Sequence, residues 1–92
     1  GKTIPGILGL AAGWTAAEGP LPTIIHPHGG PWSRDFGGWD ASGWVPFLTS
    51  RGYAVLRPQY RGSLGLGRAL WLAGDAEWGG KMQDDKDDGA AW

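Results

Sequence analysis

Two short stretches of this 92-residue chain carry residue types that could do chemistry. One is Ile24–Trp32, "IIHPHGGPW", with His26, His28 and a glycine pair. The other is Arg61–Gly67, "RGSLGLG", with Ser63. A His-x-His on an extended segment puts both rings on one side, where a zinc ion could use them, but a third ligand is needed. Asp35 and Asp40 stand at no recognised spacing. The two histidines therefore read as structural or loop-orienting residues, and no metal is expected. A serine nucleophile on a strand–turn–helix elbow needs G-x-S-x-G, because that sharp turn leaves no room for flanking side chains. Arg61 fills the first position before Ser63, and Ser33, Ser42 and Ser50 fit worse, so no nucleophile is expected. In "GSLGLG", Leu70 stands where a dinucleotide fingerprint needs its third glycine, and the Walker pattern is absent. No nucleotide or other cofactor is expected.

What remains is the backbone. An apolar run that ends in His28-Gly29-Gly30-Pro31 bares N–H groups, and glycines let a substrate oxygen come close to them. Open α/β sheets bind ligands beyond the carboxyl ends of their strands. A loop of this kind forms half of an oxyanion hole in lipases and esterases. Losing one such donor typically costs about 3 kcal/mol of transition-state stabilisation. The other reading is a glycine turn with no catalytic role. On the pattern alone both stand.

The elements that must position this loop alternate along the chain. Ile4 to Leu10 reads as a strand, at an edge because Pro5 cannot donate to a ladder. Ala11 to Leu21 reads as a loop. Pro22 to Ile25 is apolar without alternation, the pattern of a strand buried on both faces. Ala41 to Arg51 reads as a helix, with Asp40 or Ser42 as cap, Trp44, Phe47 and Leu48 on one stripe, Gly52 just past its end, and Pro46 tolerable only in its first turn. Tyr53 to Leu56 is a second buried strand, ended by Pro58. Arg68 to Ala73 has helical character. Lys81 to Trp92 is a polar helix whose early acids favour the positive end of its dipole. Strands alternating with helices predict an α/β sheet.

Composition narrows the partners. The chain holds 18 Gly, 7 Pro and 7 Trp, so a large apolar area has few elements to cover it, and a part of something larger is expected. A formal charge of −1 gives no reason to expect nucleic acid or an anionic membrane. There is no cysteine, hence no disulfide framework, and the compartment is left open with a lean to the cytoplasm. No apolar run is long enough to span a bilayer. Gly1 to Pro5 is no signal peptide, and a start without Met fits an excised or truncated segment.

Three ordered blocks, "LPTIIHPHGGPWSRD", "FLTSRGYAVLRPQYRGSLGLGRA" and "AGDAEWGGKMQDDKDDGAAW", together resemble the catalytic domain of the prolyl oligopeptidase family, in its acylaminoacyl-peptidase and dipeptidyl-peptidase-like branch. The resemblance runs from Gly1 to Trp92. It implies the N-terminal half of an α/β-hydrolase domain, truncated before the nucleophile elbow, with the catalytic triad wholly beyond Trp92. It implies a peptide substrate and a serine peptidase behind a β-propeller. It matches His28-Gly29-Gly30-Pro31 to the family's oxyanion loop. Some branches place a tyrosine hydroxyl where His28 stands, so backbone donation from Gly29 or Gly30 is expected here. Tyr60-Arg61-Gly62-Ser63 matches a turn read as scaffold beside the active site, with Arg61 pairing to backbone or carboxylate nearby. The block with Trp78-Gly79-Gly80 and Asp84-Asp85 reads as structural. Leu64 and Leu66 depart from the threonine and tyrosine of that turn, and Pro46 is unusual for the helix.

An esterase or lipase on the same fold is the first alternative, which the His-Gly-Gly loop does not separate from a peptidase. A non-catalytic remnant or small binding protein is the second. As an isolated chain the peptidase segment is expected to be inactive and poorly stable, whereas the remnant would fold as a stable unit.

Overall fold

The computed structural model describes residues 3–92, so Gly1 and Lys2 of the expected domain lie outside the described residues. It is a small mixed α/β arrangement of a three-stranded sheet and three helices. Strand β1 (Gly6–Gly9) pairs antiparallel with β3 (Ala54–Pro58), and β2 (Thr23–Ile25) pairs parallel with β3 on its other side. The order β1-β3-β2 puts β1 at an edge, as Pro5 implied.

Burial on both faces belongs to β3 alone, where all five residues are buried. The same expectation for Pro22 to Ile25 is corrected: Thr23 is exposed, and Ile24 and Ile25 are only half-buried. The reason is position, because β2 has β3 on one side and no described strand on the other. Tyr53, expected to open β3, is exposed and instead completes the end of the preceding helix.

That helix, α1, spans Trp44–Ser50 and starts three residues later than expected. Asp40 shapes the entry. One carboxylate oxygen accepts the Val45 N–H at 2.9 Å, and the other accepts the Ser42 N–H at 3.0 Å and hydroxyl at 2.7 Å. These bonds, the Val45 one foremost, hold the Asp40 carboxyl down at a pKa of about 2. Pro46 is the third helical residue, where a missing N–H costs no intrahelical bond. At the far end Gly52 takes φ 89°. Its N–H donates to Thr49 O at 3.2 Å and the Tyr53 N–H to Leu48 O at 3.1 Å, which is a Schellman closure. The expected stripe is rotated: Trp44 and Phe47 meet edge to face in solvent, and Val45 and Thr49 turn to the sheet over Gly9.

Helix α2 (Arg68–Leu72) is short, and α3 (Lys81–Ala91) is the longest element. Met82, Asp85 and Gly89 form the inner face of α3. A Cβ on Gly89 would stand 3.2 Å from Leu56 Cδ2, so this glycine lets α3 approach the sheet. Because side chains alternate along β3, α1 covers the face of Gly9 and Val55, and α3 covers the face of Leu56. The apolar core is small: Ala54, Val55, Leu56, Tyr60, Leu70 and Met82. None of the seven tryptophans is buried. No helix among the described residues is long and apolar enough to cross a membrane.

Candidate functional site

Two loops leave the carboxyl ends of the parallel strands β2 and β3 and meet above the sheet. The His26 N–H donates to Leu56 O at 2.8 Å and carries the pairing one residue past β2. Pro27 then has no N–H to offer, and the chain turns away as His28-Gly29-Gly30-Pro31. From β3 comes Gln59-Tyr60-Arg61-Gly62-Ser63, which is almost wholly buried.

The second loop holds the first. The Tyr60 ring stacks on the His28 imidazole, with centroids 4.5 Å apart and planes at 20°. The Tyr60 hydroxyl donates to the His28 carbonyl at 2.5 Å, and its oxygen lies 3.3 Å from His28 Nδ1. Burial, with a contribution from the Asp35 charge, raises the Tyr60 pKa and keeps that phenol a donor. His28 Nε2 lies 2.8 Å from Ser63 Oγ, and Nδ1 lies 3.0 Å from Gly29 O. Further along, the Leu64 N–H donates to Ser33 O at 2.8 Å. The buried Gln59 side chain exchanges two bonds with the Asp35 backbone, at 3.1 and 2.7 Å, as a strand neighbour would.

The turn is in turn clamped from α3. Asp85 accepts the Arg61 N–H at 2.9 Å, Nε at 2.8 Å and Nη2 at 2.7 Å, with 3% of its side chain exposed. This hydrogen-bonded carboxylate raises the Arg61 pKa and keeps the guanidinium charged. Gly62 takes φ 100° and lies against Gly74, where an added Cβ would stand 2.7 Å from Gly62 Cα. Lys86 Nζ sits 4.4 Å from the centre of the Tyr60 ring.

The residues singled out in the first loop fall together, and their roles separate. His28 faces inward, with both ring nitrogens beside protein partners. Gly29 and Gly30 are exposed, and neither N–H donates to an acceptor among the described residues. Gly30 needs its glycine for φ 80°. Gly29 does not: its φ is not left-handed, and a Cβ there would meet nothing within 4 Å. Ser63 is fully buried, its hydroxyl against the His28 ring. His26 has a buried Nδ1 with no partner among the described residues, and no group of three His, Asp or Glu side chains suited to a metal occurs among them. Trp32, directly after the first loop, and Trp78, beyond the second, lie 5.5 Å apart at 54° and are both exposed.

The sequence left the Ser63–His28 contact, the Gln59 bracket and the Tyr60 bonds unseen. Each joins residues 24 to 35 positions apart through side chains whose types are common in turns. The Arg61 pairing is the one expected with the family resemblance, and Asp85 is the carboxylate that supplies it.

No family model matches the chain. It is 46% identical over 76 residues, 83% of its length, to dipeptidyl aminopeptidase BIII of Pseudoxanthomonas mexicana. It is 46% identical over 66 residues, 72% of its length, to dipeptidyl peptidase family member 6 of Caenorhabditis elegans. It is 40% identical over 65 residues, 70% of its length, to dipeptidyl-peptidase 5 of Aspergillus fumigatus. The matched stretches make up 11%, 9% and 9% of those proteins, so the chain spans about a tenth of the length of the curated relatives it matches.

Proposed function

We propose, from the premise that this chain is homologous to a stretch of dipeptidyl peptidases and in keeping with a segment of the prolyl oligopeptidase family, that it supplies the oxyanion loop of a serine peptidase. The complete enzyme releases dipeptides from the N-terminus of peptides through an acyl-enzyme. The nucleophile, acid and base come from chain beyond these 92 residues. The isolated segment is inactive.

One observation carries this reading. Gly29 and Gly30 present two amides with no acceptor among the described residues, at the carboxyl end of a parallel strand. Neither backbone angle nor packing among the described residues requires a glycine at position 29. What explains it is an atom that comes close from outside. A carbonyl carbon attacked by serine moves its charge onto oxygen, and donors aimed in advance stabilise that charge without reorganising.

The partial sheet has room for the rest of an α/β-hydrolase. The edge of β2 away from β3 has no partner among the described strands. In the family resembled, the nucleophile strand follows the helix that α3 matches. A parallel strand added at that edge would end beside the loop that holds Gly29 and deliver its serine there.

The test is Gly29→Pro in the full-length enzyme, which deletes one N–H at a position whose φ is not left-handed. Activity per titrated active site is expected to fall about 100- to 1,000-fold. Gly29→Ala keeps the N–H and reports the cost of a methyl group alone. A Gly29→Pro enzyme as fast as Gly29→Ala would overturn the reading.

A further inference from the structure

We infer that Tyr60 and Ser63 are positioning residues that aim the two loop amides, Tyr60 through the His28 carbonyl and Ser63 through the His28 ring. The inference rests on the oxyanion reading above and adds the residues that make it work.

A peptide unit is planar and trans, so its N–H points opposite to its C=O. Pinning a carbonyl therefore aims the amide that follows it. The His28 carbonyl accepts the Tyr60 hydroxyl. That bond draws the carbonyl toward the buried turn and turns the Gly29 N–H away from it, toward the open side. The next peptide repeats the device. The Gly29 carbonyl lies 3.0 Å from His28 Nδ1, and fixing it directs the Gly30 N–H the other way.

The second pin works only if Nδ1 carries the ring proton. Both neighbours of Nδ1 call for it: the Gly29 carbonyl can only accept, and the Tyr60 oxygen has already committed its proton to the His28 carbonyl. Nε2 is then bare and accepts from the Ser63 hydroxyl at 2.8 Å. A fully buried hydroxyl is costly unless bonded, and His28 is the side-chain partner it has. Ser63 thus selects the tautomer that holds the Gly29 carbonyl. The pins are themselves braced: Tyr60 stacks on the imidazole it serves, and Arg61, between Tyr60 and Gly62, is clamped by Asp85. Serine and tyrosine in this turn have a use that neither nucleophilic attack nor plain packing accounts for.

The test uses Tyr60→Phe, Ser63→Ala and Ser63→Cys in the full-length enzyme. Tyr60→Phe keeps the stacked ring and deletes one oxygen, and Ser63→Cys keeps a donor at that position, though a weaker and bulkier one. The readouts are kcat per titrated active site and KM on a dipeptidyl 4-nitroanilide. Inhibition is measured with a dipeptidyl boronic acid, which forms a tetrahedral adduct, and with the product dipeptide, which does not. Tyr60→Phe and Ser63→Ala are expected to lower kcat about 10- to 100-fold, short of the loss of a whole donor. KM and dipeptide inhibition stay within threefold, boronate inhibition weakens in step with kcat, and Ser63→Cys falls between Ser63→Ala and wild type. A residue that only supports the fold would lower the number of titratable sites and leave kcat per site unchanged, and that result overturns the proposal. If Gly29→Pro slows the enzyme while these variants do not, positioning fails and the oxyanion reading stands. If Gly29→Pro is itself without effect, both fall together.

Discussion

Asp85→Ala should be the most damaging single polar-to-alanine change in this chain. The carboxylate accepts three bonds at 2.7 to 2.9 Å, one from the Arg61 backbone and two from its guanidinium. Only 3% of the Asp85 side chain and 16% of the Arg61 side chain reach solvent. Deleting the acid leaves a mostly buried cation and a backbone N–H without their acceptor. Breaking a buried pair this way costs about 3–5 kcal/mol, and the partial exposure of Arg61 places the cost near the lower end, about 3 kcal/mol. For a domain of 150–250 residues, that lowers the melting temperature by roughly 6–12 °C. Urea unfolding of the full-length protein, with Asp85→Ala, Arg61→Ala and the double variant, gives the coupling directly. The double variant should cost at least about 1 kcal/mol less than the sum of the singles, because each single change strands one charge of the pair and the double variant strands neither, leaving the backbone N–H at position 61 without Asp85 as in Asp85→Ala alone. Additive costs, or an Asp85→Ala change below about 1 kcal/mol, would show that the clamp is only a surface contact and refute the reasoning.

Gly74→Ala should cost about 1–3 kcal/mol in the same urea assay, since its Cβ would press on the Gly62 backbone, which cannot swing aside as a side chain does; an unchanged midpoint would contradict the close approach. Acid should loosen the entry to α1. The Asp40 pKa lies below its ordinary value, at about 2, so its stabilising bonds are fully present above about pH 4 and lost as pH falls toward 2. Unfolding midpoints at pH 5 and pH 2.5 should therefore differ less in Asp40→Asn than in wild type, and equal differences would count against the cap. The isolated 92-residue chain should give a gradual urea transition and bind a hydrophobic dye, because Trp39 is 81% and Trp92 87% exposed; a sharp cooperative transition would favour a self-sufficient binding protein.

Local signals were legible. Gly52 after a periodic apolar segment marked the end of α1, and its φ of 89° shows why the chain needs glycine there. The polar helix from Lys81 and the edge strand near Pro5 also follow from neighbours within a few residues. The misreadings come from partners far away in sequence. Thr23–Ile25 has the composition of a central strand, but the sheet described here leaves one side of it open. The α1 stripe was drawn through the largest apolar residues, Trp44 and Phe47, while the sheet selected the compact Val45 and Thr49 that fit over Gly9.

Of the candidate site, the loop residues were legible and their contacts were not. Two glycines after a buried-looking run point to backbone donors, and Ser63, which does not fit the elbow pattern, is fully buried. Excluding it also concealed it, because a motif search asks whether a serine can attack and not what its hydroxyl holds. His28 was grouped with the glycines, yet its ring turns inward to Ser63 and Tyr60. No spacing rule joins residues 28, 60 and 63. The contact exists only once β2 and β3 lie side by side and their loops leave from the same end.

The most direct test is a crystal structure of the full-length enzyme with its serine trapped as a dipeptidyl boronate adduct. An adduct oxygen about 2.7–3.1 Å from the Gly29 nitrogen, with or without a second bond from Gly30, is the predicted result. Both amides turned back onto carbonyls of their own chain, with that oxygen held by other groups, would contradict it.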